Sequence, residues 1–135
     1  MKSAYEAWDE FDDPGALAAR TAAPPTDPML PFATQDPALA AVLCREWNGT
    51  RVVNIRVAPF DFYLGRGGVA GNPFHIKPGR TRDQALWAYR AYFLSRPHLM
   101  KLLPTLEGQV LGCFCDPMDC HGHVIVGLLR DGWGL

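Results

Sequence analysis

Cys113, Cys115, Cys120 and His121 lie within nine residues of one another, while Cys44 stands alone far upstream. Three chemistries fit such a cluster. The first is a metal centre: zinc takes thiolates and an imidazole in a tetrahedron, and Cys113, Cys115, Cys120 and His121 supply a Cys3His set, with His123 as a substitute ligand. The spacing departs from the usual two-residue gap between paired zinc cysteines. The second is a reactive thiolate, with Cys120 as nucleophile in the first turn of a helix, where unpaired N–H groups and the helix dipole lower a thiol pKa. His121 or His123 is then the proton donor or acceptor, although adjacent residues such as Cys120 and His121 on one helix point about 100° apart. The third is packing alone, with the cysteines as small buried hydrophobes in a tight strand-to-helix turn.

A second group of residues has the chemistry of anion recognition. Residues Gly65–Gly71 (GRGGVAG) place four glycines in seven positions and are followed by Asn72-Pro73-Phe74. Backbone of this kind approaches a ligand closely. Arg66, Gly71, Asn72, Pro73 and Phe74 are therefore the candidate ligand-binding residues, clamping a phosphate or carboxylate through a guanidinium and backbone N–H groups. His75 and Lys77 add donors to the segment. The aromatic residues Trp87, Tyr89, Tyr92 and Phe93 have the rings to stack a base, but their helical spacing suits a core face better.

The elements that must position these residues follow from periodicity. Half of the twelve prolines fall within Pro14–Pro37, and residues 21–37 have no apolar period, so they form an irregular arm that Met29, Leu30 and Phe32 pin to the body. Asp36-Pro37 starts a short helix over Ala38–Trp47, stopped by Asn48-Gly49. Residues Arg51–Ala58 alternate as a β-branched strand. Thr81 to Gln84 fit a capping box, opening an amphipathic helix to Ser95, and Pro97 restarts a further turn that Pro104 closes. Gln109–Cys115 is apolar on both parities, as in a buried strand. Asp116-Pro117 signals another helix start, and His123–Arg130 is apolar enough to be a final packed helix.

Strand, crossover helix, strand and helix in that order predict an α/β fold: a small three-layer sandwich with a mostly parallel, Rossmann-like sheet over residues 51–135, preceded by an arm and short helix over residues 1–50. In such sheets ligands sit beyond the carboxyl ends of the strands. That rule brings the glycine loop and the cysteine loop to one edge.

Composition narrows the class further. The chain has 135 residues, 48% hydrophobic and 20% charged, which suits one folded domain and excludes collagen-like, disordered and disulfide-scaffold classes. It contains no apolar run of the ~18 residues needed to span a bilayer, and five acids within Glu6–Asp13 give the start no signal-peptide character. A cytoplasmic chain with reduced cysteines is the expectation. The net charge of −1 conceals an asymmetry: residues 1–44 carry −5, residues 45–101 carry +7 and the remainder −3. A basic middle suits a phosphate-bearing small ligand or a nucleic acid, and equally a face of solvated arginines balanced by the acidic ends. Tyr5, Trp8 and Phe11, three residues apart, suit a short amphipathic helix that caps the body or docks on a partner.

Taken together, Gly65-Arg66 with Gly71-Asn72-Pro73-Phe74, and Gly112-Cys113-Phe114-Cys115-Asp116-Pro117 with Cys120-His121-Gly122, resemble the motifs of the bacterial and phage family catalogued as domain of unknown function 4326. The resemblance covers about Val52–Leu129. It implies that Arg66, Asn72, Pro73, Cys113, Cys115, Cys120 and His121 occupy the positions that define the family; an acidic residue is expected after the Cys-His-Gly triplet, where this chain has His123. A looser similarity to another α/β family, whose last strand also runs into a Cys-His pair at a helix start, supports the same fold. Two functions remain in view. One is an enzyme of nucleotide or nucleic-acid modification that holds a phosphate-bearing ligand at the strand ends. The other is a non-catalytic, zinc-stabilised module that binds nucleic acid or serves as an adaptor.

Overall fold

The computed structural model describes residues 27–65, 67–115 and 118–133. The expected helix around Tyr5, Trp8 and Phe11 and the first part of the arm lie outside them. So do Arg66, Asp116 and Pro117.

Helix α1 (Pro37–Val42) begins as its sequence dictates, with the Asp36 carboxylate accepting from the Ala38 N–H and Pro37 in the first turn, where its missing N–H costs nothing. It does not run to Trp47. Residues Glu46–Trp47 form strand β1, paired antiparallel with β2 (Thr50–Asn54). The Asn48-Gly49 pair read as a helix stop is instead the hairpin turn. Its φ values of +48° and +83° are the two positive angles that a tight primed turn requires and that Asn-Gly tolerates best.

Strand β2 ends at Asn54, four residues before the Ala58 that alternation suggested. The Asn54 side-chain oxygen accepts the Arg56 N–H at 2.9 Å, and its carbonyl accepts those of Val57 and Ala58. A local turn has replaced the ladder. Strand β3 (Phe62–Tyr63) follows, too short for any periodic signal.

Helix α2 (Arg82–Ser95) has the predicted capping box, in which Thr81 Oγ1 accepts from the Gln84 N–H and Gln84 Oε1 accepts from the Thr81 N–H. Helix α3 (Pro97–Leu102) and a 3-10 turn (Leu103–Leu106) lead into β4 (Val110–Cys113), and α4 (His121–Arg130) closes the described chain.

The sheet order is β1-β2-β4-β3, with β4 parallel to both β2 and β3 and only the β1–β2 pair antiparallel. The α/β class is therefore observed. The Rossmann-like, three-layer form is not plainly reproduced: the sheet is mixed, and α4 is the helix that packs against β1, β2 and β4, with α1 and α2 packing in turn on α4. Val52, Leu111 and Cys113 face this helical side and join Tyr89, Phe93, Val124, Ile125 and Leu128 in one core. Tyr89 and Phe93 are fully buried, so these aromatic rings are core rather than a base-stacking platform. Among the described residues no helix is long and apolar enough to cross a membrane.

Of the three residues expected to pin the arm, Phe32 alone does so. It packs edge-on against His123 and under the Arg45 guanidinium, whereas Met29 is 84% exposed and Leu30 40%. The polar anchor is one the sequence did not suggest. Buried Asp119 accepts the Ala33 and Thr34 N–H groups, both at 2.8 Å.

Candidate functional site

The three parallel strands end together. Asn54 is in register with Cys113, and Tyr63 with Gly112, so the loops after β2, β3 and β4 emerge at one edge of the sheet. The glycine loop leaves β3 and the cysteine loop leaves β4, so both loops start from the carboxyl edge.

Cys113 is the last residue of β4 and faces the core, and Cys120 is the N-cap of α4. Their sulfurs are 3.0 Å apart, and both are buried. Cys115 is half-buried on the loop just beyond β4. Its surroundings hold the Cys115 thiol well below the ordinary thiol range, the influence of Cys113 and Cys120 coming first and that of Arg82 after, against the opposing effect of burial. Cys120 moves the other way. Burial first, then its two sulfur neighbours, raise its pKa well above 9.0. A thiolate is the expectation at Cys120; burial there favours the neutral thiol, and the downward shift falls on Cys115.

Cys120 and His121 do face each other, contrary to the helical argument. Cys120 is not in the first turn; its φ of −138° and ψ of 154° are extended, and this lets its Sγ lie 3.7 Å from His121 Nδ1 while still capping the Gly122 N–H. The other ring nitrogen, Nε2, lies 2.6 Å from the Leu64 carbonyl. A carbonyl only accepts, so Nε2 carries the proton and Nδ1 presents its lone pair to Cys120. Burial holds the His121 pKa below 6.5, against the opposing pull of the Leu64 bond and Cys115, so the ring is neutral at pH 7.

His123, the proposed substitute ligand, has a structural role instead. It is buried, and its Nδ1 accepts the Cys120 N–H at 3.0 Å, closing a capping box in which cysteine and histidine take the usual parts of serine and glutamate. For zinc, the Cys113–Cys120 separation is shorter than the ~3.7 Å expected between two thiolates held at ~2.3 Å on a tetrahedral ion. Among the described residues no group of three or more His, Cys, Asp or Glu side chains is disposed to hold a metal ion.

The glycine loop is joined to this turn at several points. Leu64 donates to the Gly112 carbonyl as well as accepting from His121. The Tyr89 hydroxyl donates to the Ala70 carbonyl at 2.6 Å, and the Tyr89 ring meets that of His121 edge-on at 5.0 Å. Within the loop, the Gly71 N–H bonds to the Gly68 carbonyl, and Asn72 Oδ1 accepts the Phe74 N–H at 2.8 Å, shaping the turn. Pro73 is exposed, while Phe74 packs edge-on against Tyr92 with Arg80 over its ring. Arg56 lies over Phe114, beside Cys115.

Two residues absent from the sequence reading complete the site. Arg82 donates to the Asp119 carbonyl at 2.9 Å, and Asp119 holds the arm. Arg82 sits in the first turn of a helix, where nothing in its sequence context marks it.

Comparison with known proteins returns the same two segments. The chain is 32% identical over 84 residues, 59% of its length, to the "Uncharacterized 12.4 kDa protein in nrdA-td intergenic region" of Enterobacteria phage T4, of which the match covers 77%. No solved structure matches the chain. The family model for a domain of unknown function matches residues 47–131, a span holding the hairpin, the glycine loop and the cysteine turn. On that match the chain belongs to the family described as Domain of unknown function (DUF4326).

Proposed function

We propose that this domain binds a nucleotide-like or other phosphate-bearing ligand at the carboxyl edge of its sheet, as an enzyme of nucleotide or nucleic-acid modification. The observation that carries the reading is the convergence of the two motif loops with arginine side chains set on them. Arg56 lies against Phe114, Arg80 against Phe74, and Arg82 donates to the Asp119 carbonyl next to Cys120. Guanidinium groups next to flexible backbone N–H groups suit phosphate oxygens in charge and in shape. The reacting groups on hand are the Cys120 thiol and the unprotonated Nδ1 of His121, 3.7 Å apart, a sulfur nucleophile and a base in one turn.

Thermal unfolding of the full chain in the presence of inorganic phosphate, nucleoside mono- and diphosphates, and short single-stranded oligonucleotides tests the reading. A ligand present at a hundred times its Kd stabilises by about 2.7 kcal/mol, and the paired substitution R56A/R80A should remove that stabilisation without altering the ligand-free transition. If none of these compounds shifts the transition at millimolar concentration, the reading is wrong.

A further inference from the structure

We propose that the ligand at the carboxyl edge is a single-stranded nucleic acid, whose flanking nucleotides run over an arginine–aromatic surface built from Phe74, Arg80, Tyr92 and Arg96. The inference deepens the phosphate-ligand reading and rests on it. A run of alternating cations and rings carries it. The Arg80 guanidinium lies 5.6 Å from the Phe74 ring centroid, Phe74 meets Tyr92 edge-on at 5.9 Å, and the Arg96 guanidinium lies 4.8 Å from the Tyr92 centroid. Unpaired bases stack on aromatic faces and on guanidinium planes, and the same guanidinium groups neutralise the phosphates between them.

The surface is continuous with the cysteine–histidine turn. The His121 ring meets Tyr89 at 5.0 Å, Tyr89 lies 6.4 Å from Tyr92, and Tyr92 lies against Phe74. Helix α2 divides the roles. Tyr89 and Phe93 are buried in the core and form the floor, while Tyr92 and Phe74 are half-buried and the C-cap residue Arg96 is exposed beside Tyr92. A strand whose reacting nucleotide lies beside His121 has Tyr92 and then Arg96 next along its path.

Charge agrees with this assignment. Between Gly71 and Lys101 the chain has six bases (Lys77, Arg80, Arg82, Arg90, Arg96 and Lys101) and one acid, Asp83. Asp83 is engaged by the arm, its carboxylate accepting from the Thr34 hydroxyl at 2.6 Å. The Pro78-Gly79 turn, closed by the Lys77–Arg80 bridge with Gly79 at a φ of +90°, sets exposed Lys77 next to Arg80. Ile76 beside it is 52% exposed, an apolar contact that a base covers and a free phosphate does not. A duplex holds its bases inward and offers the backbone alone, so the rings select an unpaired strand.

The test is fluorescence anisotropy of the full chain with labelled decathymidylate and decauridylate, competed by thymidine monophosphate, by the decathymidylate–decaadenylate duplex and by polyglutamate. The decamers should bind at least about tenfold more tightly than the monophosphate, which engages the edge alone, because each stacked base contributes on the order of tenfold. Tighter binding of one decamer than of the other supports the proposal and names the sugar. Affinity should fall with salt at a log–log slope of about −2, for about three phosphates neutralised on a single strand. R96A should weaken decamer binding at least about threefold and flatten that slope by about 0.7. Y92L keeps the apolar bulk without the ring and should weaken it about tenfold. Neither variant should alter monophosphate binding. If Y92L fails to fold, R96A, at an exposed position, keeps the test open. The proposal is overturned if the decamers bind no more tightly than the monophosphate, if the duplex or polyglutamate competes as well as the single strand, or if R96A leaves decamer binding unchanged. Monophosphate binding without the gain in the decamers removes this inference and leaves the phosphate-ligand reading standing; no binding of either removes both.

Discussion

His121 donates its Nε2 proton to the carbonyl of Leu64 across 57 residues of sequence, and that one bond fixes both the orientation of the ring and the nitrogen it offers to Cys120. Replacing His121 by alanine leaves the Leu64 carbonyl without this partner and opens a gap beside the Tyr89 ring. A loss of about 1–3 kcal/mol is expected in urea denaturation. Glutamine, whose amide N–H can reach the same carbonyl, should recover part of that loss while leaving Cys120 without a base.

Cys115 should differ from an ordinary cysteine in its pH profile. Below its pKa an ordinary thiol reacts about tenfold faster for each unit rise in pH, because only the thiolate attacks. With its pKa far below the ordinary range, Cys115 is already ionised, so its alkylation rate should be nearly flat from pH 5 to 8. A tenfold rise per unit across that window would show that its neighbours do not stabilise the anion.

Stability should decline on the alkaline side. Cys120 and Tyr89 are buried in neutral form, with pKa values raised above their ordinary 9.0 and 10.0, chiefly by desolvation. Above those ordinary values the unfolded chain releases protons that the folded chain retains, so the stabilisation is complete below pH 9 and decreases as pH rises beyond it. Chemical denaturation at pH 8, 9.5 and 10.5 should show a falling midpoint, and Y89F should blunt the fall between the two higher values. The same variant loses the bond to the Ala70 carbonyl, at a cost of about 1 kcal/mol, and amide exchange in residues 67–71 should quicken.

Asp119 accepts two backbone N–H groups from the arm, so D119A should loosen the chain around Ala33 and Thr34, between the anchors that Arg45 supplies at Leu30 and Pro31 and Trp87 at Asp36. A loss of about 2–4 kcal/mol is expected from two N–H groups left unpaired. The sign of release would be faster proteolysis near Ala33 while α2 and α4 stay protected. D119N retains an acceptor and should fall between the two.

Gly127 marks the closest approach of α4 to α1, where a Cβ would run into the Val42 carbonyl. Backbone cannot yield as a side-chain tip does, so G127A should destabilise by about 1–3 kcal/mol although alanine is the better helix former. Thermal unfolding will show whether packing or propensity dominates.

Legibility in the sequence followed the length of each signal. The Thr81–Gln84 capping box and the apolar β4 segment have enough residues to state their period, and both are observed. Glu46–Trp47 and Phe62–Tyr63 are two residues each, and two positions cannot display alternation, so the hairpin was read as a helix end. The cysteine cluster was legible because its members are close in sequence. Its cation, Arg82, is about thirty residues away, and its link to the arm, Asp119, is an ordinary acidic residue until Ala33 and Thr34 arrive from the other end of the chain. Which sulfur bears the charge depends on partners of that kind.

The bond from Asp119 to the arm lies one residue before Cys120, and Phe32 covers the ring that caps Cys120. The arm therefore acts as a tether with its fixed end at the thiols. A force applied ahead of residue 27, by a binding partner or a fused neighbour, would meet the Arg45 bonds at Leu30 and Pro31 and then, through Ala33 and Thr34, the first turn of α4. The start of the chain and its sulfur chemistry are thus mechanically in series.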